Sequence, residues 1–430
     1  MIKLFSEKLH SGLFKRTFVY TFSASLNALI AFLLLPLLTR YLSPYDYGIV
    51  ETFIAFSSFL TSIVIMGGNT LLSKDYFNFD HSVRKNYIGN ILSIIFITFI
   101  FLFVLVSIFS FSSNFLSNLL KISNILILLA VMFSCTNAIN AMVLTLFQLE
   151  EKAKNFAMFI NSKTFVEITI SIFLIVALGM KWEGRIAGML IGGLLFFGVS
   201  IVICRTRDIN FMFSIHHAKN ILLLGIPLVF AQLSGMTNEI IGKIMINNII
   251  DVSSTGLYSV GYRFGMVVMI VETSFSRAWL PFFFKNIKEN KYKNNLKIVK
   301  ATYIYIIGLI VFAILFGIFA KYLLYIMIDK RFFAAGQFIF LISMAYCFDG
   351  IWKMFIGYLI HKGKTRTYSF IVFISASVNI VLTYILLKRI GLIGAAWATF
   401  ISFGIGAALT LIVGIRSHPM PWLMTHYSKS

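Results

Sequence analysis

The chain has 430 residues, of which 59% are hydrophobic and 12% charged, and its mean hydropathy is +0.89. Soluble domains carry roughly 25% charged residues, so this composition excludes a soluble enzyme. The net charge of +21 is scattered over short gaps between apolar runs, which excludes a DNA- or RNA-binding face and makes the cations topology signals.

A bilayer-spanning helix needs about 20 apolar residues. The stretch Met1 to Arg16 carries Lys3, Lys8, Lys15 and Arg16, and the apolar run behind it passes Leu38 without a small-residue cleavage signal, so the first helix is expected to be kept. In chain order, apolar runs predict spans over 17–39, 48–70, 87–110, 123–148, 155–179 and 185–204. The second half predicts 220–247, 255–276, 301–320, 333–360, 367–387 and 392–415. The expected fold class is therefore an all-α polytopic membrane protein, with about twelve transmembrane helices in two six-helix lobes around a central cavity. The lobes are 1–208 (spans 1–6) and 209–430 (spans 7–12).

Alternate gaps differ in Lys and Arg. One set holds only Arg40, Lys121, Lys181, Arg185, Lys321, Lys330, Arg331, Lys388 and Arg389. The opposite set, which includes both termini, is richer and is expected to face the cytoplasm. No gap is long enough for a folded domain, and the longest, from Arg277 to Lys300, reads as a basic cytoplasmic connector. A glycosyltransferase or polymerase would need such a domain or a carboxylate-bearing loop, so no enzyme is expected. Cys135, Cys204 and Cys347 lie far apart, so neither a disulfide nor a metal site is expected, and no cofactor is implied. His10, His81, His216, His217, His361, His418 and His426 all fall in gaps or tails, which argues against a histidine proton relay across the membrane.

The halves resemble each other at an offset near 208. Leu42–Gly48 falls on Ile250–Gly256, and Gly184, Ile186, Ala187 and Gly188 pair with Gly391, Ile393, Gly394 and Ala395. Gly184, Gly188 and Gly192, spaced by four, permit close helix packing. Six spans separate the equivalents, so both halves are expected to share one orientation.

The same residues carry a family resemblance. The stretch from Leu34 to Gly48 (LLPLLTRYLSPYDYG) resembles the opening signature of the polysaccharide-export family of the multidrug/oligosaccharidyl-lipid/polysaccharide exporter superfamily. Similar stretches are Gly225–Leu228, Gly256–Arg263 and Gly391–Thr399. The resemblance covers nearly the whole chain. It implies a Wzx-type flippase in a bacterial inner (plasma) membrane, which translocates polyprenyl-diphosphate-linked oligosaccharide, an O-antigen or capsule precursor, from the cytoplasmic to the periplasmic leaflet. The implied partners are that lipid-linked oligosaccharide, membrane lipids and other polysaccharide assembly proteins, with no nucleic acid. Drug exporters of the superfamily share the architecture, so a multidrug exporter is the alternative, and one for cationic drugs would favour an acidic cavity.

A charge at the bilayer centre costs a few kcal/mol on insertion scales, so intramembrane ions are candidate functional groups. Lys163 and Glu167, Glu239 and Lys243, and Asp349 and Lys353 are each four apart, which places each pair on one helix face. Arg263 and Glu272 lack such a partner, although Glu239 or Lys243 is within their reach across the seventh and eighth spans. Arg40 and Glu51 are expected where a cavity meets the periplasm, and Lys74 and Arg277 at an inward mouth. The cations Arg40, Lys74, Lys163, Lys243, Arg263, Arg277 and Lys353 suggest a basic path suited to a diphosphate. Glu51, Glu167, Glu239, Glu272 and Asp349 are the candidates for coupling to a proton or sodium gradient. Pro36 and Pro227 are expected to kink or break the first span of each half.

Overall fold

The computed structural model describes residues 12–422, apart from 210, 212, 289 and 290. Every regular element among them is helical. Apolar side chains such as Phe101, Phe111, Ile304 and Ile326 stand exposed, as suits helices whose outer faces meet lipid tails as apolar as themselves. The chain divides into two compact units, one ending at Asn248 and the other beginning at Ile249.

In the first unit, α1 (Gly12–Leu33) and α2 (Leu35–Tyr41) form the first span, divided by a turn at Leu34. Pro36 stands in the first turn of α2, where a missing amide costs nothing. The second span is also divided. α3 (Pro44–Val64) starts from Ser43, whose side chain closes a capping box with Asp46, and α4 (Gly68–Asp75) follows a turn through Met66 (φ 47°) and Gly67 (φ 66°). α5 (His81–Ser112), the short α6 (Phe115–Leu120), α7 (Asn124–Leu149) and α8 (Ala153–Ile172) come next. α8 ends in a π-helical turn, Phe173–Ala177, and leads to α9 (Trp182–Arg205) and α10 (Ile215–Ile249). Pro227 lies inside α10 without interrupting it. Of the kink or break expected there, the break does not occur, because in hydrocarbon the surrounding backbone gains most by keeping its own helical bonds.

The second unit holds α11 (Val252–Gly265), α12 (Val267–Lys288), α13 (Tyr292–Met327), a 3-10 segment Lys330–Ala335, α14 (Gly336–His361), α15 (Thr365–Ile390) and α16 (Ile393–Ser417). α12 and α13 extend far into the stretch read as a connector from 277 to 300, which is therefore mostly helix. Ten described helices are long and apolar enough to cross a membrane. The places of the first and seventh expected spans are taken by α1–α2 and α10, whose described apolar parts are shorter, Leu26–Tyr41 and Ile240–Ile249.

The internal repeat is visible in how each unit is built. α7 packs against α3, α5 and α9, and α14 packs against α11, α12, α13 and α16, so the fourth span of each half is its centre. Both central helices are 26 residues long and start 212 residues apart. The turn after each is the same: Glu151 (φ 57°) and Gly363 (φ 68°) are left-handed, and Lys152 and Lys364 send their amides back to Phe147 and Leu359. Gly179 (φ 65°) and Gly391 (φ 70°) share this 212-residue offset. Backbone conformation thus pairs Gly391 with Gly179 rather than with Gly184, a distinction that residue identity does not carry. Gly184, Gly188 and Gly192 instead bring α9 close to Ile175, Ser171 and Glu167.

Candidate functional site

Three ionisable side chains meet in the interior of the second unit. On α14, Asp349 and Lys353 are one turn apart, and their oxygen and ammonium lie at 2.7 Å. α12 packs alongside and presents Glu272, Phe275, Trp279 and Phe283 at helical spacing. Lys353 Nζ donates to Glu272 Oε1 at 2.6 Å, and Thr273 Oγ1 donates to the same oxygen at 2.9 Å. Glu272 is fully buried, and its other oxygen, Oε2, has no hydrogen-bond partner among the described residues. Two carboxylates share one ammonium, so the ionised trio carries one uncompensated negative charge. Gly350 lets the helices close here, since a Cβ on it would lie 2.8 Å from the Tyr305 hydroxyl and 3.1 Å from Glu272 Cβ. Tyr305, on α13, stacks on Phe275 with centroids 4.0 Å apart.

Among the ion pairs of the first unit, two formed by lysines inside the predicted spans differ in character. Lys163 on α8 lies 3.2 Å from Glu167 and donates to Asn137 Oδ1 on α7 at 3.0 Å. Nearby, Ser200 donates to Asn140 at 2.8 Å. The second pair joins α10 to α3: Lys243 Nζ donates to Glu51 Oε2 at 2.9 Å, with only 4% and 3% of the side chains exposed. Next to it Asn247 donates to Thr52 Oγ1 at 2.9 Å and to the Leu120 carbonyl at 3.1 Å. This amide ties the end of α10 to α3 and to the end of α6.

Several expectations are revised. The ammonium of Lys243 is held by Glu51, and the side chain of Glu239 lies outside the described residues. Glu272, expected to seek Glu239 or Lys243, is bound to Lys353. The i,i+4 rule sees only one helix, whereas here neighbouring helices supply the partners. Glu51 is buried rather than set at an open mouth. Arg40, Lys74 and Arg277 are exposed and Arg263 is half-buried, so the expected cations occupy unlike surroundings. Tyr305, Thr273, Asn137 and Asn140 were not singled out, because neutral polar residues in an apolar run carry little signal. The three cysteines are free and buried.

Helices long enough to cross a bilayer, a twofold internal repeat and buried ion pairs within the helices define a multi-pass membrane protein of the transporter kind. The sequence profile of the polysaccharide biosynthesis protein family matches residues 13–287, well over half of the chain, and the chain belongs to that family. It is 23% identical over 286 residues to the Lsg locus putative protein 1 of Haemophilus influenzae, which covers 65% of this chain and 67% of that protein. Its fold is similar to that of the lipid II flippase MurJ in an inward closed conformation, with TM-score 0.75 and 17% identity over 93% of this chain and 87% of that one. An inward-facing multidrug resistance transporter of the MATE family, in the MOP superfamily, is similar at TM-score 0.69 and 14% identity, over 91% and 94% of the chains.

Proposed function

We propose that this protein is a flippase that moves polyprenyl-diphosphate-linked oligosaccharide, an O-antigen or capsule precursor, from the cytoplasmic to the periplasmic leaflet of a bacterial inner membrane. Both termini are on the cytoplasmic side in this reading. The observation that carries it is that Lys163, Lys243 and Lys353 place ammonium groups inside the helices of a polysaccharide biosynthesis family member, each held by an exchangeable carboxylate. A diphosphate crossing hydrocarbon needs such cations. Arg40, Lys74, Arg263 and Arg277 complete the basic path. Transport proceeds by alternating access of the two lobes, 1–208 and 209–430, and Glu51, Glu167, Glu239, Glu272 and Asp349 are the groups through which an ion gradient acts. No covalent chemistry is required.

The MATE-like fold supports a second reading as a multidrug exporter. Deleting the gene in its host distinguishes the two. The flippase reading expects loss of surface glycan, accumulation of lipid-linked repeat units at the inner leaflet, and failed rescue by Lys243→Glu, Arg263→Glu or Lys353→Glu. Normal glycan with raised drug sensitivity overturns it in favour of the exporter.

A further inference from the structure

The two units carry unlike charge at the ends expected to face the cytoplasm. In the first unit, residues 74–85, 150–154 and 205–208 hold seven cations and five carboxylates. Ion pairs of 2.9 to 3.0 Å join Lys85 to Asp208, and both Lys152 and Arg207 to Glu150. In the second unit, residues 277–300, 362–366 and 416 hold eleven cations and one carboxylate, Glu289. The positive-inside rule counts Lys and Arg and takes little account of Asp and Glu. It therefore covers both ends alike and does not explain why one neutralises much of its own charge and the other does not.

α13 shows what the surplus is set against. Its exposed positions Ile304, Ile307, Val311 and Leu315 follow one another at steps of three and four residues and form one stripe. Carried toward the start of the helix at the same steps, the stripe passes to Lys300, Lys297 and Lys293, all exposed. The opposite face, with Ile298, Val299, Thr302 and Tyr305, is buried. Lys297 makes one long contact, 3.4 Å to Asn294 Oδ1, and none of the three lysines pairs with a carboxylate among the described residues. Lys293 stands in the first turn, where the helix dipole disfavours a cation and no acid accompanies it, so helix stability does not account for the ladder. The apolar run begins at residue 301, which sets Lys300 at the edge of the hydrocarbon and Lys297 about 4.5 Å further out. Both are then level with the headgroups, a layer about 5–8 Å deep. The acyl depth of one leaflet, about 15 Å, reaches down the same stripe as far as Val311. In the first unit α5 offers no such face, because Tyr87 to Ile95 are buried without a gap.

We infer that α13 carries a binding site for one anionic phospholipid of the cytoplasmic leaflet. Its phosphate lies on Lys297 and Lys300, with Lys293 above them, and its acyl chains run along Ile304, Ile307 and Val311. A lysine ammonium is a point charge on a flexible stem and follows a phosphodiester without demanding a fixed fork geometry. A zwitterionic headgroup would bring its own ammonium against the ladder. The site is on the outward face of α13, apart from the buried ion pairs, and the bound lipid supplies the negative charge that the first unit finds in its own carboxylates. The inference rests on the flippase reading only for which leaflet is meant.

The test uses the full chain in detergent and native mass spectrometry, with phosphatidylglycerol titrated against phosphatidylcholine of the same acyl chains. The wild type is expected to retain one phosphatidylglycerol in preference to phosphatidylcholine. Lys297→Gln/Lys300→Gln is expected to weaken that binding about thirtyfold, as about 1 kcal/mol per lysine gives, and Lys85→Gln/Lys154→Gln to leave it unchanged. Equal retention of the two lipids, a Lys297→Gln/Lys300→Gln variant that binds as the wild type does, or an equal loss in the first-unit variant overturns the proposal. Displacement of phosphatidylglycerol by an equimolar polyprenyl diphosphate also overturns it, and makes the ladder a docking surface for the transported lipid. Binding of polyglutamate without phosphatidylglycerol overturns it in favour of an acidic protein. The comparison of lipids on the wild type decides even where a variant fails to fold. No glycan is involved, so failure here leaves the gene-deletion test of the flippase reading standing.

Discussion

Asn137 and Asp349 occupy the same place in the two central helices, 212 residues apart, and each holds a lysine ammonium. Asn137 takes Lys163 from the next helix at 3.0 Å, and Asp349 takes Lys353 from its own at 2.7 Å. In the first unit the acceptor is a neutral amide, and Glu167 balances Lys163. In the second the acceptor is itself charged, Glu272 adds another carboxylate, and the balance is left negative. The frame is duplicated down to the left-handed residue of a turn, but the charge is not. A few substitutions on a repeated scaffold are enough to leave one unit with a surplus carboxylate and the other with a balanced pair.

The largest test of that contrast is to remove each lysine. Lys353→Met strands two carboxylates around a buried site and is expected to cost about 3–5 kcal/mol in denaturant unfolding of the detergent-solubilised protein. Lys163→Met strands one carboxylate rather than two, Glu167 at 14% side-chain exposure, and is expected to cost less, about 1–3 kcal/mol. Equal losses would break the contrast. A smaller effect probes the shared frame: Gly363→Ala forces a Cβ into a left-handed position and should cost roughly 1–2 kcal/mol. Alanine at Glu151, which already bears a Cβ at φ 57°, should cost less.

The smallest effect is in pH. Burial first, then the charges of Lys362 and His361, hold His418 below its ordinary value of 6.5. Its neutral form favours the folded state, so its contribution is complete above 6.5 and is lost as pH falls through 6.5 towards the lower folded value. Amide exchange of residues 418–422 is expected to quicken on acidification across that window, and His418→Asn to flatten the response. At the matching positions of the first unit stand Leu149 and Thr206, so no such response is expected there.

Much of this was legible in the sequence. Apolar runs located the helices, and four-residue spacing found Lys163 with Glu167 and Asp349 with Lys353. What was not legible joins distant helices: Glu272 to Lys353 spans 81 residues and Glu51 to Lys243 spans 192. Lys-rich and Asn-rich stretches near 277–300 read as a connector because their polarity, not their helix propensity, dominated the pattern. Asn137 was missed because an amide in an apolar run looks like any packed polar residue, and only its equivalence to Asp349 gives it meaning.

The arrangement of the trio also bears on how the chain enters the membrane during synthesis. α14 carries Asp349 and Lys353 one turn apart, so it reaches the bilayer with its charges already matched. α12 precedes it with Glu272 unmatched, at an insertion cost of a few kcal/mol for a central carboxylate. Until α14 supplies the Lys353 ammonium, the acid of α12 lacks the partner that it has in the folded protein. A truncation after α13 would freeze that state and present the acid to the cell's membrane quality control.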